Sequence, residues 1–440
     1  MYKDKVISTC LVIHVDYEEN ATTISNHYKS FENFGSAYYR RVTLDRFISL
    51  EEKYITLFDC IILHYSIYYP MLLRKEYHNC VYKLMQYKGL KIAFIQDDYR
   101  LINKMNDIFV LLGINSIYSI LLKEVQKEVY KKSINNGIDT KETLTGYIDE
   151  VNYRPSFNPE EKVIDVSYRA RDLKDGFGWL GKKALEKAKI ATIKDQLDKN
   201  GFKTDISLLE EDRLYGNEWN KLLTKSKATL ISISGSSVCD FTGEIQTKYD
   251  ELYMKGIRGK ELEDVYSKFD GQIEATVISP RVFEATLNNV LLIGYEDHYS
   301  NILEAGKHYV VLKRDHSNFK EIAEILRDEK LRNKYIDKAY EDLILSKKYS
   351  WKTFVNDFEN EQNIVAPKNN IKLEILKYMN DNIPIPIPEI TLLSNEEVSY
   401  KKKLKSIIAK YIYPFLPKIF QKIIMRIYKK RHNFFIQFYR

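Results

Sequence analysis

The sequence predicts an α/β protein made of two parallel-sheet domains in series, and three observations carry that reading. At 440 residues the chain is too long for one ordinary hydrophobic core. Over 5–155, short apolar runs alternate with helical patterns, the rhythm of strand–helix–strand units. A polar stretch at 152–161, carrying Pro155, Asn158 and Pro159, interrupts that rhythm, which resumes at Val163. The expected division is a first domain over 1–155 and a second over 156–345. A crossing helix at 346–362, a linker at 363–400 and a basic tail at 401–440 follow.

In the first domain, strands are expected at 6–15, 41–44, 60–64 and 91–96, with a helical stretch over 71–87 that Pro70 introduces. Asp97-Asp98-Tyr99-Arg100 comes just past the fourth strand. Ligands of open α/β sheets bind at such carboxyl ends. The two aspartates could orient or deprotonate a substrate hydroxyl there, or simply shape a turn.

The second domain opens with a strand at 163–168 running into Arg169-Ala170-Arg171. Side chains two apart on a strand share a face, which puts Arg169 and Arg171 together. Gly176, Gly178 and Gly181 follow, then a basic helix from Lys182 that also carries Lys187. Cations at a strand end before a glycine-containing loop and a helix start can hold a diphosphate; exposed arginines at a domain edge would look the same. A strand is expected at 202–206 and a helix at 215–226, with Trp219, Leu222 and Leu223 on one face. The next strand, 229–233, runs into Ser234-Gly235-Ser236-Ser237. Ser279-Pro280 then starts a short helix bearing Arg281 and Glu284. The apolar run 290–293, bounded by Gly294, reads as a buried strand leading into Glu296-Asp297-His298-Tyr299-Ser300. A strand at 308–312, beginning at His308, and helices at 319–326 and 331–345 complete the domain.

Several of these words resemble the bacterial family-1 and family-4-like glycosyltransferases of the GT-B fold, in which two Rossmann-like domains face one another. They are SPRVFEA and YSNILEAGKHYVVLKRDHSNF in the second domain, with GSSVCDF, and FIQDDYR and LTGYI in the first. The likeness spans 5–360 and is densest over 165–345. It implies a nucleotide-sugar donor held mainly by the second domain and an acceptor held by the first. Glu284 would then bond the donor ribose, although a carboxylate at a helix start also suits the helix dipole without any ligand. Arg169 and Arg171, with Lys182 or Lys187, would clamp the diphosphate, the electrostatic contribution expected to dominate. Ser236 and Ser237 would lie near the sugar and base, with Arg281, Tyr299, Ser300 and His308 around the site. Asp98 would be the catalytic candidate. One position departs from the pattern: Thr276 stands eight residues before Glu284, where retaining members carry a first acid, so the stereochemical course is open. No Asp-x-Asp metal motif occurs, and neither a metal nor another cofactor is expected. A non-catalytic sugar- or nucleotide-binding scaffold of a polysaccharide assembly complex would suit the missing acid equally. A nucleotide-sugar-modifying enzyme would need glycines after the first strand, and 10–20 has none.

Four cysteines, Cys10, Cys60, Cys80 and Cys239, form no CxxC pair and read as small buried hydrophobes of a reducing compartment. No targeting segment precedes the first strand, and no apolar run reaches membrane-span length, so a cytoplasmic protein is expected. The net charge of +7 is uneven. From Lys401 onward there are twelve Lys and Arg and no acid, which leaves 1–400 at −5. Nothing in that acidic body suggests a nucleic-acid partner. In the tail, apolar pairs recur every four residues from Ile407-Ile408 to Ile427-Tyr428, flanked by cations and broken by Pro414 and Pro417. This pattern fits amphipathic helices on the anionic inner face of a membrane, or packed on the body or a partner.

Overall fold

The computed structural model describes residues 6–16, 22–148, 162–214, 216–368, 373, 374 and 376. The linker expected at 152–161, the Pro384–Pro388 stretch and the tail at 401–440 lie outside them.

The first sheet is parallel throughout, in the order β2-β1-β3-β4-β5-β6. Its central strands are mostly apolar because helices cover both faces. They are β1 (Thr9–His14), β3 (Cys60–Leu63) and β4 (Leu90–Ile95), buried at every position. β2 (Tyr38–Thr43) forms one edge and pairs Thr9 with Tyr38, while β1 pairs Cys10 with Cys60 on its other side. β5 (Ser116–Ser119) and β6 (Asp139–Glu142) extend the sheet past β4. β6 reads DTKE, polar as an exposed edge should be.

The second sheet contains β7 (Ile164–Arg169), β8 (Thr204–Ser207), β9 (Ser226–Ile231), β12 (Leu291–Gly294) and β13 (Val310–Val311). Its order is β13-β12-β9-β7-β8, with parallel pairings. Strand order therefore reverses between β7 and β9, the switch point where doubly wound sheets open a crevice. A separate antiparallel pair, β10 (Ser234–Ser236) and β11 (Ala275–Val277), brackets a long insertion.

Two features tie the domains together. Helix Trp351–Glu361 returns to the first domain, where Trp351, Phe354, Val355 and Phe358 join Cys10, Val12, Phe31, Tyr39 and Phe94 in one buried cluster. Each large ring buried this way contributes about 2 kcal/mol. Glu359 of that helix is itself buried and accepts from Ser36 N and Oγ (both 2.8 Å), Ala37 N (3.1 Å) and Tyr39 Oη (2.9 Å). Second, the start of the insertion bonds the first domain through its backbone: Asp240 N to Tyr99 O (2.8 Å) and Asn103 N to Phe241 O (3.0 Å). Cys239, Ala275 and Val277 share a hydrophobic cluster with Ile95, Met105 and Phe109. Two Rossmann-like units joined at their sheet ends, with the last helix crossing back, form the GT-B architecture.

Candidate functional site

A cavity of about 270 Å³ opens at the switch point of the second sheet. The carboxyl ends of β7 (Tyr168, Arg169) and β9 (Leu230, Ile231) form its floor. Arg171, Lys187, Arg213 and Arg281 reach it from the surrounding loops and helices, so its lining holds five basic residues and no acidic one. Small hydroxyls, Ser232, Ser234 and Ser279, fill the spaces between them.

The five cations are held differently. Arg169 is buried, and its guanidinium turns toward β8, donating to Asp205 Oδ1 (2.6 Å), Asp205 O (2.8 Å) and Asp212 O (3.0 Å). Arg171 and Arg213 share Glu210. Burial raises the Glu210 carboxyl, but these two arginines outweigh it and hold it below its usual range. Arg281 donates to the carbonyl of Arg169 and lies over the Trp219 ring at 4.9 Å. Lys187, half-buried, has no hydrogen-bond or ion-pair partner among the described residues. Burial, reinforced by Arg281 and Arg171, lowers it to about 8. The charge of Asp97, on the first domain, acts on Lys187 in the opposite sense. Asp97 is exposed, sits at φ 56° and accepts from Tyr99 Oη (2.8 Å).

The structure brings together only part of the predicted set. Arg169, Arg171, Lys187 and Arg281 line the cavity, but Arg169 is spent on β8 and its loop and does not present its fork to a ligand. Asp98 is a correction. It is fully buried, accepts from Ser119 Oγ and Tyr130 Oη inside the first domain, and burial raises it to about 7. Lys182 is exposed and does not line the cavity, and its backbone N–H donates to Asp270 (3.2 Å).

Ser236 and Ser237 are corrected for a related reason. Ser236 is sealed in a turn, donating to Leu180 O and Val238 O. Ser237 donates to Asp270 Oδ1 and accepts from Lys183 N (3.2 Å). Together Ser237 and Asp270 cap helix Gly181–Ala191, so the N–H groups expected to hold a phosphate already have acceptors from the chain. Gly181, at φ +85°, makes the approach possible, since a Cβ there would come within 2.4 Å of both side chains.

Tyr299 and His308 serve the core. Tyr299 donates to Tyr295 O (2.9 Å), and buried His308 bridges Asp342 (3.0 Å) and the N–H of Glu304 (3.0 Å). Ser300 accepts from Ile278 N and borders a different groove at the domain junction. Glu284 stands on helix Arg281–Leu287, whose first turn forms the cavity wall. It is not itself in the lining; its Oε2 accepts from Trp219 Nε1 (2.6 Å), and burial raises its carboxyl. Thr276 is buried against His298 Nε2 (2.8 Å) and offers no acid. Sequence reasoning missed Arg213, because an arginine after Glu210-Glu211-Asp212 reads as a solvated charge run. Among the described residues no group of three His, Cys, Asp or Glu side chains could hold a metal ion.

Fold and site together define a GT-B-type α/β protein with a cation-lined cleft at the switch point of its second sheet. No protein-family model matches the sequence, and neither does any curated protein. Solved structures with a similar course of chain include Anabaena HepE in complex with UDP and glucose. That match has 9% identity and a TM-score of 0.45, covering 80% of this chain and 99% of that one. The DNA-modifying enzyme β-glucosyltransferase matches at 12% identity and a TM-score of 0.48, covering 81% and 100%. TarM matches at 13% and 0.37, covering 69% and 54%. These likenesses concern the path of the backbone and not its chemistry.

Proposed function

We propose that the chain is a glycosyltransferase that takes a nucleoside-diphosphate sugar into the cavity between β7 and β9 and transfers the sugar to a glycan or lipid-linked glycan. One observation carries the reading: Lys187, an ammonium without a partner among the described residues, stands in a cavity lined only by basic charge. Unpaired buried charge is costly, so such a site calls for an anion. The switch-point crevice is where a nucleotide fits this fold.

In the reaction, the bond from the anomeric carbon to the diphosphate breaks as the acceptor oxygen bonds that carbon. Lys187 and Arg281 stabilise the negative charge left on the diphosphate. Asp97, across the cleft, orients the acceptor hydroxyl and takes its proton. The ribose lies against the turn at Ser279–Arg281, and Glu284, behind it on Trp219, holds that wall in place. No metal is assigned a role. The basic tail holds the protein to an anionic membrane, at the cytoplasmic face where lipid-linked acceptors present themselves.

Isothermal titration of the full chain with UDP, GDP, ADP and CMP tests the donor site. One diphosphate is expected to bind at least tenfold more tightly than its nucleoside. Failure of all four at millimolar concentration would sink the donor reading. Binding without turnover of any nucleotide sugar would instead identify a scaffold.

A further inference from the structure

Two of the cleft's cations stand apart from the rest. Arg171 directs Nε and Nη2 at the two oxygens of Glu210 (3.1 and 3.2 Å), and Arg213 adds Nη1 to Oε1 (2.7 Å). A planar carboxylate thus sits in a two-arginine nest, the geometry such forks favour. The nest is firmly mounted. Buried Arg169 fastens the loop after β8 through Asp205 and Asp212, one residue before Arg213. The carboxylate filling it is its least confined member, with the Glu210 side chain 60% exposed. An ion pair so open to water contributes little and exchanges readily.

Both arginines also line the donor cavity, while Glu210 does not. Lys187 and Arg281 already supply two cations for a diphosphate, so the nest adds positive charge beyond that need.

We propose that Arg171 and Arg213 form a second anion subsite at the rim of the cavity, which takes the carboxylate of an acidic sugar in exchange for Glu210. The substrate class is then a uronate, carried by the donor or by the acceptor. This rests on the donor reading above.

The test is titration of the full chain with UDP, UDP-glucose and UDP-glucuronate, and in parallel with GDP, GDP-mannose and GDP-mannuronate. A glucuronate-terminated oligosaccharide is titrated separately into the nucleotide complex. If the donor carries the acid, the uronate binds at least tenfold more tightly than its neutral counterpart. If the acceptor carries it, the two donors bind alike and the oligosaccharide binds more tightly than its neutral analogue. In either case Arg213→Ala should reduce the ratio below about twofold, and Glu210→Gln, a change at an exposed position, should increase it. Nucleotide binding with no uronate preference in either arm overturns the proposal. So does a preference that neither variant alters. Absence of any nucleotide binding would instead overturn the donor reading beneath it.

Discussion

An ammonium drawn out of water and then crowded by guanidiniums releases its proton more easily, and Lys187 is in that position, half-buried beside Arg281 and Arg171. An anion bound among them favours the charged form, so binding draws Lys187 back toward protonation. Diphosphate affinity is then complete below about 8 and declines as pH rises through it. Titrations between pH 7 and 9.5 should show the dissociation constant rising by about tenfold. Lys187→Arg, charged throughout, should give a flat profile; a wild-type profile equally flat would remove Lys187 from the phosphate site. The residue scale is also where the sequence was least legible. Asp97 and Asp98 are adjacent and chemically identical, and the left-handed turn at Asp97 leaves one carboxylate exposed and the other in the core. No local pattern distinguishes them. Ser236 and Ser237 had the right chemistry for a sugar site, but their hydroxyls close a turn and a helix end instead.

Among elements, legibility followed the apolar run. Cys60–Leu63, Leu90–Ile95 and Leu291–Gly294 read as strands because sheets covered on both faces impose continuous apolar runs. Ser116–Ser119, Asp139–Glu142 and the β10–β11 pair went unread, being short or polar. The cap on helix Gly181–Ala191 was beyond reach for another reason: Asp270 lies far along the chain, and a carboxylate's partner at that distance leaves no local trace. Helix Trp351–Glu361 carries its own test. Glu359 gathers four donors from the first domain, and Glu359→Ala leaves them without their acceptor. The loss should be about 2–3 kcal/mol, read as a lower midpoint in urea with an unchanged slope. Glu359→Gln, which retains one acceptor oxygen, should lose about half as much. A midpoint unmoved by Glu359→Ala would show that packing alone docks the helix.

For the molecule as a whole, the doubly wound α/β architecture could be read from the alternation of apolar runs and helical patterns, and the crossing helix at 346–362 was expected from the family resemblance, whereas the backbone bonds of Asp240 and Phe241 to the first domain could not be read, since they depend on contacts between distant segments. The tail makes its prediction from sequence alone. Twelve cations and no acid beside repeating apolar pairs should adsorb to anionic vesicles, by roughly 1 kcal/mol per cation near the surface. The full chain should sediment with such vesicles at low salt and release as salt rises, and a chain ending at Val398 should stay in solution with nucleotide binding intact. Equal sedimentation of the two would place the membrane contact elsewhere or nowhere. The return of helix Trp351–Glu361 also has a consequence in time. The first domain leaves the ribosome first, yet its core lacks Trp351, Phe354 and Phe358 until nearly the whole body has been made. Its sixth strand ends at Glu142, and Ile364, which pairs beside Ile7, comes much later. At ordinary synthesis rates that interval is roughly 10–45 s. Throughout it an aromatic face around Phe31 and Phe94 waits uncovered, so the half of the protein born first is the half finished last.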